Sequence, residues 1–148
     1  PMGIPASVVE LTTTEKVFIG EPAAQAIASE AERLGAKRVF LMVSRALNTG
    51  TDEISRIRTA LGARVAGTYD GMPPHAPRSA VLAAAAMARD ANADMIVTVG
   101  GGSITDAGKI VSLCLKHNLR EHDDLESMSM SMTRARPSSQ YSRAPMSR

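Results

Sequence analysis

The sequence of 148 residues predicts an α/β fold in which helices cover both faces of a parallel sheet. Three observations support this prediction. Short apolar runs of β-forming residues alternate with segments whose apolar side chains recur at helical spacing. Glycine and proline separate these segments. The run 38–43 is apolar at almost every position, which is typical of a strand covered on both faces.

The predicted elements form one continuous series along the chain. The predicted strands are 15–19, 38–43, 63–69 and 94–99. The predicted helices are 22–34, 51–61, 79–90 and 104–117. Pro22 suits a first helical position, Gly35 suits the position after a helix end, and Asn118 can end the last helix in a left-handed conformation. Strands and helices that alternate in this way are typical of right-handed βαβ units.

Three loops follow predicted strands, at 44–48, 70–77 and 100–103. The loop 70–77 contains three prolines and a glycine, so it cannot form regular structure. Ligands of open parallel sheets bind beyond the carboxyl ends of the strands. We therefore expect these loops, which are far apart in the sequence, to meet in one crevice.

The third loop contains the most informative motif of the chain. A strand-like run ends at three consecutive glycines, Gly100-Gly101-Gly102, and a helical segment carrying Asp106 and Lys109 follows. Glycine can adopt positive φ and has no Cβ, so backbone N–H groups can approach an anion at the start of a helix. The motif therefore predicts a turn that binds phosphate.

Two commoner glycine motifs do not match. A P-loop has four residues before its Gly-Lys pair, whereas five residues separate Gly102 from Gly108 here, and Ile110 follows the lysine. The standard dinucleotide fingerprint needs a glycine where this chain has Thr105, or where it has Ile104 if the pattern starts at Gly102.

The pattern Gly-Gly-Gly-Ser-x-x-Asp-x-Gly-Lys at 100–109 resembles the signature of the iron-containing (group III) alcohol dehydrogenase family. The segments 17–23, 38–43 and 69–77 are similar to that family as well. The resemblance covers 15–127, the amino-terminal half of a family member. It implies a Rossmann-like sheet whose glycine turn holds the pyrophosphate of NAD or NADP. The implied activity is hydride transfer between an alcohol and a carbonyl.

The resemblance also implies a set of cofactor-binding residues: Gly100, Gly101, Gly102, Ser103, Asp106, Arg45 and His75. Ser103 is expected to cap the helix and donate to a phosphate oxygen, and Asp106 to lie near the nicotinamide ribose. The alternative is that both are an ordinary cap and a first-turn acid. His75 is either a cofactor contact or a structural loop residue, and Lys109 is either a phosphate contact or a surface cation.

The chain departs from the family pattern at two places. In many members a carboxylate follows the second strand and bonds the adenosine ribose, whereas this chain has Ser44-Arg45. Because arginine can hold a 2′-phosphate, NADP use is a hypothesis. His75 stands where many members have asparagine, which is similar to the maleylacetate reductase branch. That branch usually lacks an acid at the position of Asp106, so the subfamily stays open.

Composition argues against several other classes of function. Residues 128–148 hold four arginines and no acid, while 1–127 hold 13 basic and 15 acidic residues, so the body is mildly acidic and predicts no nucleic-acid surface. We find no cationic leader and no run of about 18 apolar residues, so we expect a cytoplasmic protein without a membrane partner. Cys114, the only cysteine, is expected to be a buried small hydrophobe.

The composition changes after Ser127. Residues 128–148 contain no Val, Ile, Leu or Phe, so they are predicted to be a disordered tail, from a frameshifted or truncated reading frame. In the family, a divalent metal such as iron or zinc is held by a carboxyl-terminal helical domain. We expect that domain to be absent, so no metal ligand or catalytic residue is assigned. The chain alone is expected to bind cofactor without turnover, and its exposed apolar surface predicts homo-oligomers.

Other functions are compatible with the same scaffold. The chain can be a relative of glycerol dehydrogenase, glycerol-1-phosphate dehydrogenase or dehydroquinate synthase, which share a glycine-rich turn followed by an aspartate. Ser103 and Lys109 favour the alcohol dehydrogenase type. A non-catalytic nucleotide-binding module and a fragment without function are the remaining alternatives.

Overall fold

The computed structural model describes residues 18–121 and 123–125, of which Phe18–Arg120 form one compact unit. The helices are α1 (Ala23–Arg33), α2 (Arg45–Gly50), α3 (Glu53–Leu61), α4 (Arg78–Asp90) and α5 (Gly102–His117). The strands are β1 (Val39–Val43), β2 (Val65–Tyr69) and β3 (Met95–Val99). The predicted tail, 128–148, lies outside the described residues. Among the described residues, no helix is long and apolar enough to span a membrane.

The sheet has three strands in the order β2-β1-β3, and both pairs are parallel. Its register brings Val43 beside Val99 and Met42 beside Tyr69. Each strand therefore ends at the same edge, which we call the carboxyl edge. The predicted parallel α/β sheet is confirmed.

Helices cover both faces of the sheet, as predicted. All five residues of β1 are buried. Side chains alternate along a strand, so Val39, Leu41 and Val43 face a cluster with α1 and α3. Phe40 and Met42 face the other side, where α4 and α5 pack together. Complete burial of large apolar side chains such as these stabilises a fold by about 1.5–3 kcal/mol each.

Three predicted boundaries need correction. Of the predicted strand 15–19, residues 15–17 lie outside the described residues, and the remaining two, Phe18 and Ile19, are not in a strand. Ile19 is 90% exposed. The predicted loop 44–48 is largely helical, because the Ser44 hydroxyl accepts a hydrogen bond from Leu47 N at 3.4 Å and caps α2. The start of the predicted strand 63–69 is instead a 3₁₀ turn over Gly62–Arg64.

Two predictions at the end of α5 are confirmed. Asn118 follows the helix with φ 57°, in the left-handed conformation, and its N–H donates to Cys114 O. The Cys114 side chain is fully buried.

Gly108 allows α5 to approach β3 closely. A Cβ on Gly108 would lie 2.3 Å from Thr98 Cγ2, far inside any real contact between carbon atoms. Gly108 therefore has a packing role that the sequence motif did not indicate.

We expect Gly108→Ala to destabilise the chain by about 1–3 kcal/mol, even though alanine favours a helix over glycine. The measurement is urea unfolding. Thr98→Ser removes the clashing methyl group, so the double variant should recover most of the lost stability. The control is Gly50→Ala, because an added Cβ there meets nothing within 4 Å. Equal stability of Gly108→Ala and wild type would contradict this packing role.

Candidate functional site

The ends of β1 and β3 are joined directly at the carboxyl edge. Ser44 N, just after β1, donates to Val99 O at 2.9 Å, which continues the strand pairing by one residue. Gly100 follows Val99 and lies against Ser44. The first residues of α2 and the glycine turn are therefore neighbours.

The first of the three glycines is required by the fold. Gly100 has φ +152°, which side-chain-bearing residues rarely adopt. A Cβ on it would lie 3.0 Å from Ile104 Cγ1 and 3.1 Å from Ser44 Cβ. Gly101 and Gly102 differ, because an added Cβ on either meets nothing within 4 Å. These two glycines border open space at the start of α5.

The start of α5 differs from the prediction that Ser103 caps it. Gly101 is the capping residue and supplies no side-chain hydrogen bond, and the helix already includes Gly102 and Ser103. The first N–H groups of any α-helix lack intrahelical acceptors. Since no acid lies in the first turn of α5, its positive dipole end is not offset by a side chain there. A helix start of this kind favours a nearby anion.

Ser103 instead connects the glycine turn to the proline-rich loop. Its hydroxyl oxygen accepts a hydrogen bond from His75 N at 3.2 Å. The loop itself turns at Pro73–Ala76, where Ala76 N donates to Pro73 O at 3.2 Å. Pro74 at the second position and φ 67° at His75 match a type II turn. That third position favours glycine or asparagine, and histidine also tolerates it.

The third contact between loops involves Arg45 and Asp70. Asp70 follows β2, and its carboxylate accepts from Arg45 Nη2 at 3.3 Å and from Asn48 Nδ2 at 2.9 Å. The hydrogen bond from Asn48, with help from Arg45, lowers the pKa of Asp70, so this group is ionised at neutral pH. Burial, together with the negative charge of Asp70, raises the pKa of neighbouring Tyr69.

The predicted meeting of the three loops is confirmed by these contacts. Arg45, His75, Ser103 and the glycines are together at the carboxyl edge. Asp106 is exposed on the same helix but lies beyond its first turn, so it is not the first-turn acid of the alternative interpretation. Lys109 is seven residues from the helix start, about 10 Å along its axis, and lines a 190 Å³ groove beside Thr98. This position favours the interpretation of Lys109 as a surface cation.

Two residues of this cluster were not predicted. Asp70 and Asn48 each stand in a predicted loop, and the only sequence signal was that each of these loops follows a predicted strand. Within the described residues, no group of three or more His, Cys, Asp or Glu side chains is placed to hold a metal ion. The described residues therefore do not fit a metal site.

Comparison with known proteins identifies the family of this chain. Residues 14–142 match the family model described as iron-containing alcohol dehydrogenase. The match extends past Ser127 into the segment predicted to be an unrelated tail. Maleylacetate reductase 2 of Cupriavidus pinatubonensis is 37% identical over 105 residues, which cover 71% of this chain and 28% of the relative.

Two solved structures share the fold. Maleylacetate reductase from Rhizobium sp. strain MTP-10005 has a TM-score of 0.62 at 28% identity, over 71% of this chain and 29% of its own. A 1,3-propanediol oxidoreductase has a TM-score of 0.62 at 28% identity, over 68% of this chain and 26% of its own. The chain thus spans between a quarter and a third of each relative's length. It belongs to the iron-containing alcohol dehydrogenase family, and within that family it is similar to the maleylacetate reductases.

Proposed function

We propose that this chain is the nucleotide-binding portion of an NAD(P)-dependent oxidoreductase of the iron-containing alcohol dehydrogenase type. The observation that carries the proposal is the open space beside Gly101 and Gly102 at the start of a 16-residue helix. Helix N–H groups and the helix dipole favour a pyrophosphate at such a position. Family membership supports the same interpretation.

The residues around the glycine turn have different proposed roles in cofactor binding. Gly101 and Gly102 leave room for the pyrophosphate, and the N–H groups at the start of α5 donate to its oxygens. The Ser103 hydroxyl holds the His75 backbone and thereby positions the proline-rich loop beside the cofactor. A bound nicotinamide cofactor would supply or accept the hydride at its C4 atom.

The substrate is expected to be a small alcohol or carbonyl compound held by the whole enzyme. No described residue is assigned a catalytic role, so we expect this chain to bind cofactor without oxidising an alcohol on its own. Its partners are then the nucleotide, the substrate of the whole enzyme and further copies of the chain. Neither a nucleic acid nor a membrane is proposed.

Gly102→Ala tests cofactor binding without a loss of folding stability. The added Cβ meets no protein atom within 4 Å, so stability should not fall, but it occupies the space proposed for the pyrophosphate. We expect NADH to bind at least tenfold more weakly, because each N–H bond lost to a charged group costs about 1.5–3 kcal/mol. NADH fluorescence titration measures this loss, with Gly50→Ala as the control. Unchanged NADH affinity would contradict the proposed site.

Gly100→Ala should lower the stability of the chain, unlike alanine substitutions at Gly101 and Gly102, where an added Cβ meets nothing within 4 Å. It forces a Cβ into contact with Ile104 and Ser44 at an unfavourable φ, so we expect a destabilisation of about 1–3 kcal/mol. Gly101→Ala is the matched comparison. Its free energy of unfolding should lie within about 1 kcal/mol of the wild-type value, because only the capping residue changes. Urea unfolding of the two variants checks the difference. Equal effects would mean that the three glycines share one role.

A further inference from the structure

Asp70 lies at the carboxyl edge on the far side of the central strand from the glycine turn. Tyr69 pairs with Met42, so Asp70 is level with the last residue of β1, and Val43 in turn pairs with Val99 just before Gly100. Two strand spacings, about 10 Å, therefore separate Asp70 from the turn. The adenosine ribose of a dinucleotide is bonded to the pyrophosphate through its 5′ carbon, so it lies within this distance of the turn.

The Asp70 carboxylate is both fixed and accessible. Asn48 holds one oxygen at 2.9 Å, and Arg45 lies 3.3 Å from the other. The Asp70 side chain is 28% exposed. A carboxylate has about four acceptor sites, so these two donors leave acceptor capacity for a ligand hydroxyl.

A 2′-phosphate would have to compete with the Asp70 carboxylate for Arg45. Arg45 is 68% exposed and already faces the Asp70 carboxylate. Exposed ion pairs are weak, so a phosphate can displace this one. Asn48 would still hold the ionised Asp70 beside that phosphate, however, and the two negative groups would repel each other.

The geometry points to Asp70 as a specificity-determining residue that favours NAD(H) over NADP(H), a preference opposite to the one that Arg45 alone predicts. This inference rests on the proposed cofactor function. NAD carries a 2′-hydroxyl on its adenosine ribose, which can donate to a carboxylate, whereas NADP carries a 2′-phosphate. Asp70 thus presents to the ribose, from the strand beside β1, a carboxylate that accepts from a 2′-hydroxyl and repels a 2′-phosphate.

The test is titration of the full chain with NADH and with NADPH, followed by nicotinamide fluorescence. We expect wild type to bind NADH more tightly. Asp70→Asn should shift the ratio of the two dissociation constants toward NADPH by about tenfold or more, because a charged hydrogen bond is lost and Arg45 is released. Asp70→Ser removes the same charge with a smaller side chain and serves as the second variant. Asp90→Asn, at the other edge of the sheet, is the control and should leave the ratio unchanged.

The outcomes separate this inference from the proposed function. Tighter NADPH binding by wild type, or a ratio that stays within about twofold in both Asp70 variants, overturns the role of Asp70 while leaving the cofactor site intact. If wild type binds neither nucleotide, the proposed function and the inference fail together.

Discussion

Strand β1 is buried on both faces and paired on both edges, and the arrangement of the site depends on it. Alternate side chains of Val39–Val43 anchor α1 with α3 on one face and α4 with α5 on the other. Since β2 and β3 each pair with β1 in parallel, their carboxyl ends are brought to the same edge. The loops that follow them meet there because of this register, although they are distant in sequence.

The family's glycine motif combines residues with different physical roles. Gly100 and Gly108 allow close approach, the first between the turn, Ser44 and Ile104, and the second between α5 and Thr98. Gly101 and Gly102 contribute open space instead. A substitution at one pair is therefore expected to act on folding, and a substitution at the other on ligand binding.

Much of the fold was predictable because its signals are local. Apolar runs and helical periodicity identified β1, β2, β3 and four of the five helices to within about two residues, and glycine and proline placed most of their ends. The short helix α2 was missed, since its apolar pattern is weak and its start depends on the Ser44 cap. The Arg45–Asp70 contact joins residues 25 positions apart, so it follows from strand register rather than from any motif. Ser103 was assigned to the site, but its contact with the His75 backbone depends on a turn that the sequence did not specify.

The most direct test of this account is to map the amide chemical shifts of the isotope-labelled chain during titration with NAD⁺. Binding at the carboxyl edge predicts that the largest changes cluster in three separate segments, 44–48, 70–77 and 100–106, with little change at the opposite edge around 36–38 and 92–94. Changes confined to the opposite edge, or spread evenly with no cluster at the glycine turn, would contradict the assignment of this edge as the cofactor site.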